Sequence, residues 1–230
     1  MDRRHIDREF QGELEKLREE VLTMGARVED MFDAALKALT TRDTLLARTT
    51  IANDRIIDQH ELEIDELCLQ ILARRQPMAS DLRFITTTLK LVTDLERVGD
   101  LCVNICERVI EVSKELSGSA MQAVTRIADV TRGMLHDALD AFVNEDAAKA
   151  QGVIERDRIV DAYYAQLYPA QVAEMMADPQ AINLSTRMLS LGKYLERIAD
   201  HATNISEMVV FMVKGEVVRH GGSSPKQTTS

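Results

Sequence analysis

Two pairs of carboxylates with helical spacing recur one hundred residues apart in this chain. Glu96 and Asp100 form the first pair, and Glu196 and Asp200 form the second. Residues four apart on an α-helix lie about 6 Å from each other along the axis and about 40° apart around it, so each pair projects its oxygen atoms from one face. Such carboxylates can bind a hard or borderline divalent cation, and Mg²⁺, Mn²⁺, Fe²⁺ and Zn²⁺ are the candidates.

A second acidic stripe precedes each of these pairs. It begins with Asp54 and Asp58 in the first half of the chain and with Asp157 and Asp161 in the second. If the helices that carry the two stripes are adjacent, four carboxylates face each other in each half, and protonation or a bound cation relieves their repulsion. The predicted metal ligands are therefore Asp54, Asp58, Glu96, Asp100, Asp157, Asp161, Glu196 and Asp200.

The stripes continue into a further group of oxygen-bearing side chains, which we treat as additional candidate ligands. These residues are Asn104, Glu107, Asn204, Glu207, Glu61 and Asp65. In the second half, Tyr164 and Tyr168 stand where Glu61 and Asp65 would be, so the stripe is shorter there.

Acidic pairs with this spacing are also common on solvated helix faces, and that interpretation competes with metal binding. Recurrence on two helices of both halves favours a function, because drift would erase a pattern that only faces solvent. Glu29 and Asp33 fail this test, since their counterparts are Arg132 and His136, and we interpret them as surface residues. The cysteines and His201 project toward apolar faces and are interpreted as packing residues.

Six long amphipathic helices are predicted to position these residues. Apolar residues recur every three or four positions, as in helices that bury one face, and the periodic segments are separated by breaks at 41–43, 76–77, 116–119, 144–146 and 178–179. The first, second, fourth and fifth segments match at an offset of 103 residues, and the third and sixth match at 100. We predict an all-α fold of two tandem antiparallel three-helix bundles related by internal duplication, with boundaries at 1–117 and 118–220 and a disordered tail at 221–230.

Composition narrows the class of partner. The net charge is −10, from 28 basic and 38 acidic residues, which disfavours nucleic acid and anionic lipid. No apolar run approaches the roughly 20 residues that span a bilayer, and the charged start does not resemble a signal peptide. A cytoplasmic protein without membrane insertion is expected. Nucleophile motifs, Walker loops and dinucleotide fingerprints are absent, so we predict no catalytic residue, no organic cofactor and no enzyme activity.

The duplicated motif resembles the PhoU family of phosphate-signalling regulators. Residues 95–100 read Leu-Glu-Arg-Val-Gly-Asp, and residues 195–200 read Leu-Glu-Arg-Ile-Ala-Asp, each followed by an Asn-Ile pair. The resemblance extends from about Glu13 to Met212 and includes Asp-Leu-Arg-Phe at 81–84. It implies two Glu/Asp-x-x-x-Asp pairs per repeat that bind metal, and a homodimer. Residues 101–103 (Leu-Cys-Val) depart from the family pattern, which has His and small residues there.

The resemblance also implies a negative regulator that couples the phosphate ABC transporter, through its ATPase subunit, to a sensor histidine kinase. Such a protein represses the phosphate-starvation response when phosphate is plentiful. The residues alone leave two other hypotheses open. One is a metal-storage or metal-dependent hydrolytic protein, and the other is a helical scaffold without metal.

Overall fold

A computed structural model describes residues 3–112 and 119–217 of the chain. Its helices are α1 (Arg3–Thr41), α2 (Thr44–Arg74), α3 (Ala79–Val112), α4 (Ser119–Val143), α5 (Ala147–Ala177) and α6 (Ile182–Lys214), and a 3₁₀ turn at Pro179–Ala181 leads into α6. These two ranges contain no strand, which confirms the predicted all-α fold of six long helices. None of the helices within them is long and apolar enough to cross a membrane. The predicted boundary at 117–118 and the tail at 221–230 lie outside the described residues.

The turn between the first two helices of each bundle occurs twice in the same form. Arg42 and Glu145 adopt the left-handed conformation, with φ angles of 60° and 52°. The next residues, Asp43 and Asp146, cap α2 and α5 by accepting hydrogen bonds from the second and third backbone N–H groups of the helix, at 2.9–3.0 Å. A side-chain cap directly after a left-handed residue reverses the chain within three residues, so the helices on either side pack antiparallel.

The two bundles, α1–α3 and α4–α6, pack side by side. α3 lies against α6 and α1 lies against α4, whereas α2 and α5 contact helices of their own bundle only, within the described ranges. α3 and α6 run antiparallel, because Arg83 near the start of α3 donates to the carbonyl of Met212 near the end of α6 at 3.3 Å. Each bundle therefore has an outer seam, between α2 and α3 or between α5 and α6.

An ion pair and a histidine–carboxylate contact join α1 to α4 across the contact between the bundles. Arg132 lies 2.7 Å from the Asp33 carboxylate, and the Nδ1 atom of His136 lies 2.8 Å from Glu29 Oε1. The interpretation of Glu29 and Asp33 as surface residues is therefore incomplete. They are partly exposed, but they pair with the side chains that replace them in the second repeat.

Candidate metal centres

Four of the predicted ligands meet along the seam between α2 and α3. Asp54 packs so closely on Gly99 that a Cβ atom added to the glycine would stand 3.1 Å from Asp54 Oδ1. The charges of Asp58 and Asp100 both act on the Asp54 carboxyl group. We refer to the carboxylates that the structure brings together here as the first acidic cluster: Asp54, Asp58, Glu61, Glu96 and Asp100.

The first acidic cluster is short of positive charge. Burial, followed by the charges of Asp58 and Asp100, raises the pKa of Asp54 from 3.8 to about 6. Burial and the charge of Asp100 also raise the pKa of Glu96. The Oδ1 atom of Asp54 is buried and accepts no hydrogen bond from the described part of the chain. Buried carboxylate oxygen without a donor is the environment that a cation would relieve.

Two polar side chains border this cluster. Arg97 approaches Glu96 and Asp100 at 3.5 and 3.6 Å, but its side chain is 56% exposed, so solvent weakens both ion pairs. Thr93 on α3 donates a hydrogen bond to Glu61 Oε1 at 3.1 Å, which holds Glu61 at the seam. These contacts orient the rim of the cluster, and within the described residues the charges that act on Asp54 are those of Asp58 and Asp100.

Asp65, another candidate ligand, stands apart from the first acidic cluster. It lies one turn farther along α2 than Glu61, and burial raises its pKa with no contribution from another carboxylate. Its charge acts instead on Cys68, in the core of the bundle. The structure therefore includes Glu61 in the cluster and places Asp65 outside it.

The other four predicted ligands meet along the seam between α5 and α6. Burial, with the charges of Glu196, Asp157 and Asp161, raises the pKa of Asp200 to about 6, and Lys193 opposes the shift. Asp157 is the most enclosed of the four, with 5% of its surface exposed. We refer to Asp157, Asp161, Glu196 and Asp200 as the second acidic cluster. As predicted, each half of the chain brings its two carboxylate pairs together.

Lys193 distinguishes the second acidic cluster from the first, and sequence reasoning missed it. Its ammonium group forms an ion pair with Glu196, and this contact raises the pKa of Lys193. The same group lies 5.7 Å from the centre of the Tyr164 ring. At an offset of 100 residues its counterpart is Thr93, so a position-by-position comparison of the repeats could have found it.

Asn204 and Glu207 point away from the second acidic cluster. They line a groove of about 610 Å³ between α3 and α6. Asn204 donates to Asp94 Oδ1 at 3.4 Å, and His201 Nδ1 lies 2.6 Å from the same atom. His201 is thus a half-buried residue at the contact between the bundles, in line with its interpretation as a packing histidine.

Asn104 and Glu107 occupy the corresponding stretch of α3. Asn104 is half-buried and Glu107 is exposed. Three free cysteines are fully buried in the core: Cys68, Cys102 and Cys106. Burial raises the pKa of each thiol. This agrees with their interpretation as packing residues.

The donor chemistry of the first acidic cluster fits a hard divalent cation, but its neighbouring carboxylates do not converge as closely as a bound cation requires. Among the described residues, no three His, Cys, Asp or Glu side chains converge closely enough to hold a metal ion. Carboxylates repel one another when no cation lies between them, and the exposed Asp58 can rotate at little cost. A cation would therefore have to draw Asp58 and Asp100 toward the buried Asp54 oxygen.

Comparisons with known proteins agree with the fold and with the duplication. A family model described as "PhoU domain" matches residues 21–109 and 124–209. The "Phosphate-specific transport system accessory protein PhoU homolog" of Pseudomonas putida is 43% identical over 219 residues, which cover 95% of this chain and 86% of that protein. The "Phosphate-specific transport system accessory protein PhoU" of Escherichia coli (strain K12) is 35% identical, with 95% and 91% covered.

Two crystal structures share the fold. That of PhoU from Pseudomonas aeruginosa has a TM-score of 0.87 and 41% identity, and the match covers 90% of this chain and all of that one. That of the phosphate transport system regulatory protein PhoU from Streptococcus pneumoniae has a TM-score of 0.84 and 31% identity, with 91% and 99% covered. The paired bundles therefore recur in both solved relatives.

Proposed function

The chain belongs to the PhoU family, and we propose that it is a regulatory accessory protein of a phosphate-specific transport system rather than an enzyme. One observation carries this proposal: relatives named as such accessory proteins match 95% of the chain at up to 43% identity. The family model matches both repeats, so the similarity includes both acidic clusters. An accessory role also accords with the lack of a catalytic motif in the sequence.

The finer part of the proposal concerns signalling. The protein would act in the cytoplasm, contact the ATPase subunit of the phosphate ABC transporter and a sensor histidine kinase, and repress the phosphate-starvation response when phosphate is plentiful. The resemblance of the 95–100 and 195–200 motifs to the family supports this role. Self-association into a homodimer is part of the same proposal, and exposed apolar side chains on the outer helix α2, such as Leu62 and Leu69, offer a surface for it.

Metal binding is the proposed means of control. The residues that would hold the cation are the two carboxylate pairs of each acidic cluster, and Mg²⁺, Mn²⁺, Fe²⁺ and Zn²⁺ suit their oxygen donors. The Oδ1 atom of Asp54 supports this assignment, because it is buried and accepts no hydrogen bond from the described residues. A bound cation supplies positive charge that draws the opposing carboxylates together. The outer seam would then change from a repulsive acidic stripe to an ordered, nearly neutral surface on which a partner can dock.

Deletion of the gene tests the regulatory role. In phosphate-rich medium we expect a phosphate-responsive reporter to be switched on in the deletion strain and repressed again by the wild-type gene. Normal repression in the deletion strain would refute the proposal. Pull-down with the transporter ATPase and with the kinase, each as purified protein, then establishes which of the two the chain contacts.

Elemental analysis of purified variants tests the metal assignment. Glu96→Ala/Asp100→Ala removes half of the first acidic cluster, and Glu196→Ala/Asp200→Ala removes half of the second. A matched control, Glu63→Ala/Glu66→Ala, deletes two exposed acidic residues of α2 outside the clusters. We expect the metal content to fall in the cluster variants only. Unchanged content in both cluster variants would refute the assignment and leave the regulatory role standing.

A further inference from the structure

We propose that the Lys193 ammonium group is the resident counter-ion of the second acidic cluster, so that the first acidic cluster binds divalent cations more tightly. This inference rests on the proposed metal-binding role and assigns different tasks to two sites that duplication made equivalent. The first cluster would respond to cations, whereas the second would keep its outer seam ordered without one.

Three contacts hold Lys193 over the second acidic cluster. Its ammonium group pairs with Glu196, feels the charge of Asp200 and lies 5.7 Å from the centre of the Tyr164 ring. An aromatic face attracts a cation and limits the positions that its flexible stem can explore. These contacts keep the ammonium group beside the carboxylates although 48% of the Lys193 side chain is exposed.

The packing between α5 and α6 leaves room for the Tyr164 ring beside Lys193. A Cβ atom added to Gly192 would stand 3.1 Å from the Tyr164 ring and 2.6 Å from Leu167 Cδ2. In the first repeat the residue equivalent to Gly192 is Val92, and Glu61 occupies the position of Tyr164. The glycine makes room for the ring, and the ring in turn lies beside Lys193.

The first acidic cluster has no lysine at the position that corresponds to Lys193. The counterpart of Lys193 is Thr93, whose hydroxyl group donates to Glu61. Arg97 lies 3.5 Å from Glu96 and 3.6 Å from Asp100, but its side chain is 56% exposed, so solvent weakens both of these ion pairs. Since the fifth carboxylate of the first cluster, Glu61, is replaced by Tyr164 in the second, the first cluster carries more negative charge.

Lys193 and a divalent cation would compete for the same oxygen atoms of Glu196. Cation binding at the second cluster must displace the ammonium group from Glu196, whereas binding at the first displaces only the long, solvent-exposed ion pairs of Arg97. We expect the second cluster to bind about tenfold more weakly, which is the factor that corresponds to about 1.4 kcal/mol.

Calorimetric titration of the metal-free, full-length chain with Mn²⁺ tests the inference. The variant Glu96→Ala/Asp100→Ala reports on the second cluster alone, and there Lys193→Thr should tighten binding about tenfold. The variant Glu196→Ala/Asp200→Ala reports on the first cluster alone, and there Thr93→Lys should weaken binding by a similar factor. Lys193→Arg, which keeps the charge, should leave the second cluster weak.

A matched control and a second readout separate this role from a general loss of positive charge or of structure. Lys149→Thr removes an ion-paired lysine from α5 outside the cluster, where it contacts Asp140, and should not change Mn²⁺ affinity. In thermal unfolding, Lys193→Thr should lower the midpoint of the metal-free chain and enlarge the rise that Mn²⁺ produces. A residue with a purely structural role would not enlarge that rise.

The outcomes discriminate between the proposed role of Lys193 and the proposed metal binding. If both clusters bind Mn²⁺ equally and the exchanges at positions 93 and 193 change neither affinity, the role of Lys193 is refuted and metal binding stands. If the wild-type chain binds no Mn²⁺, both proposals are refuted.

Discussion

Replacement of Asp54 by asparagine should stabilise the metal-free protein at pH 8. The side chain is partly buried against Gly99, and its Oδ1 atom has no donor in the described part of the chain. The pKa of Asp54 is raised from 3.8 to about 6 by burial and then by the charges of Asp58 and Asp100. A folded-state pKa above the unfolded value means that ionisation opposes folding. The cost is absent below about pH 4, grows between pH 4 and 6, and is complete at pH 8.

The shift in pKa sets the size of the effect. Ionisation of a carboxyl group whose pKa rises from 3.8 to about 6 costs about 3 kcal/mol of folding free energy if solvent screening is ignored. Water reaches part of the Asp54 side chain, so we reduce this to about 1–2 kcal/mol. For a chain of this length, the Asp54→Asn variant should unfold about 3–6 °C higher than the wild type at pH 8.

Thermal unfolding in EDTA at pH 8 and pH 4 measures this difference. The gain should disappear at pH 4, where the wild-type carboxyl group is protonated. Glu63→Gln, an exposed change on the same helix, controls for the general effect of removing one negative charge. A variant that is no more stable than this control at pH 8 would refute the idea that Asp54 is buried without adequate counter-charge.

Two further predictions concern the helices that carry the clusters. Gly192→Ala should lower the urea midpoint because the new Cβ would stand 2.6 Å from Leu167 Cδ2, whereas Gly152→Ala, which meets nothing within 4 Å, should raise it through better helix propensity. Midpoint shifts of the same sign would contradict the close packing of α5 on α6. Asp43→Ala should cost about 1 kcal/mol in urea unfolding because it removes the N-cap of α2, while Asp43→Asn should retain most of the stability.

The helices could be predicted from the sequence because their signals are local. Apolar residues repeat at the helical period, and cap residues mark the breaks, as Asp43 does before α2. Pro169 is the exception, because a proline normally interrupts a helix and here it does not. It lies inside α5, and the helix continues to Ala177. Packing against α6 supports α5 along its length, and such support is invisible to a local pattern.

The positions of the candidate ligands could be predicted only where the ligands face another helix of the same three-helix bundle. The pairs at 96/100 and 196/200 face the preceding helix of their own bundle, as expected. Asn204 lies eight residues after Glu196, and two steps of four residues turn the side chain by about 80° around α6. That rotation carries it from the seam with α5 to the groove with α3, where it contacts Asp94. The contact depends on how the bundles pack, which the repeat pattern does not encode.

The contact between α1 and α4 shows why differences between the repeats carry as much information as their matches. Glu29 and Asp33 correspond to Arg132 and His136, a replacement that removes any shared acidic site. α1 and α4 pack antiparallel, so a residue does not contact its own counterpart in the other repeat. Asp33 instead pairs with Arg132, the counterpart of Glu29, and Glu29 pairs with His136, the counterpart of Asp33. Two identical acidic copies would repel each other at this contact, whereas replacement of one copy by an arginine and a histidine supplies hydrogen-bond donors to the carboxylates of the other. The repeats also differ at the outer seams, where Lys193 pairs with Glu196 and its counterpart Thr93 donates a hydrogen bond to Glu61.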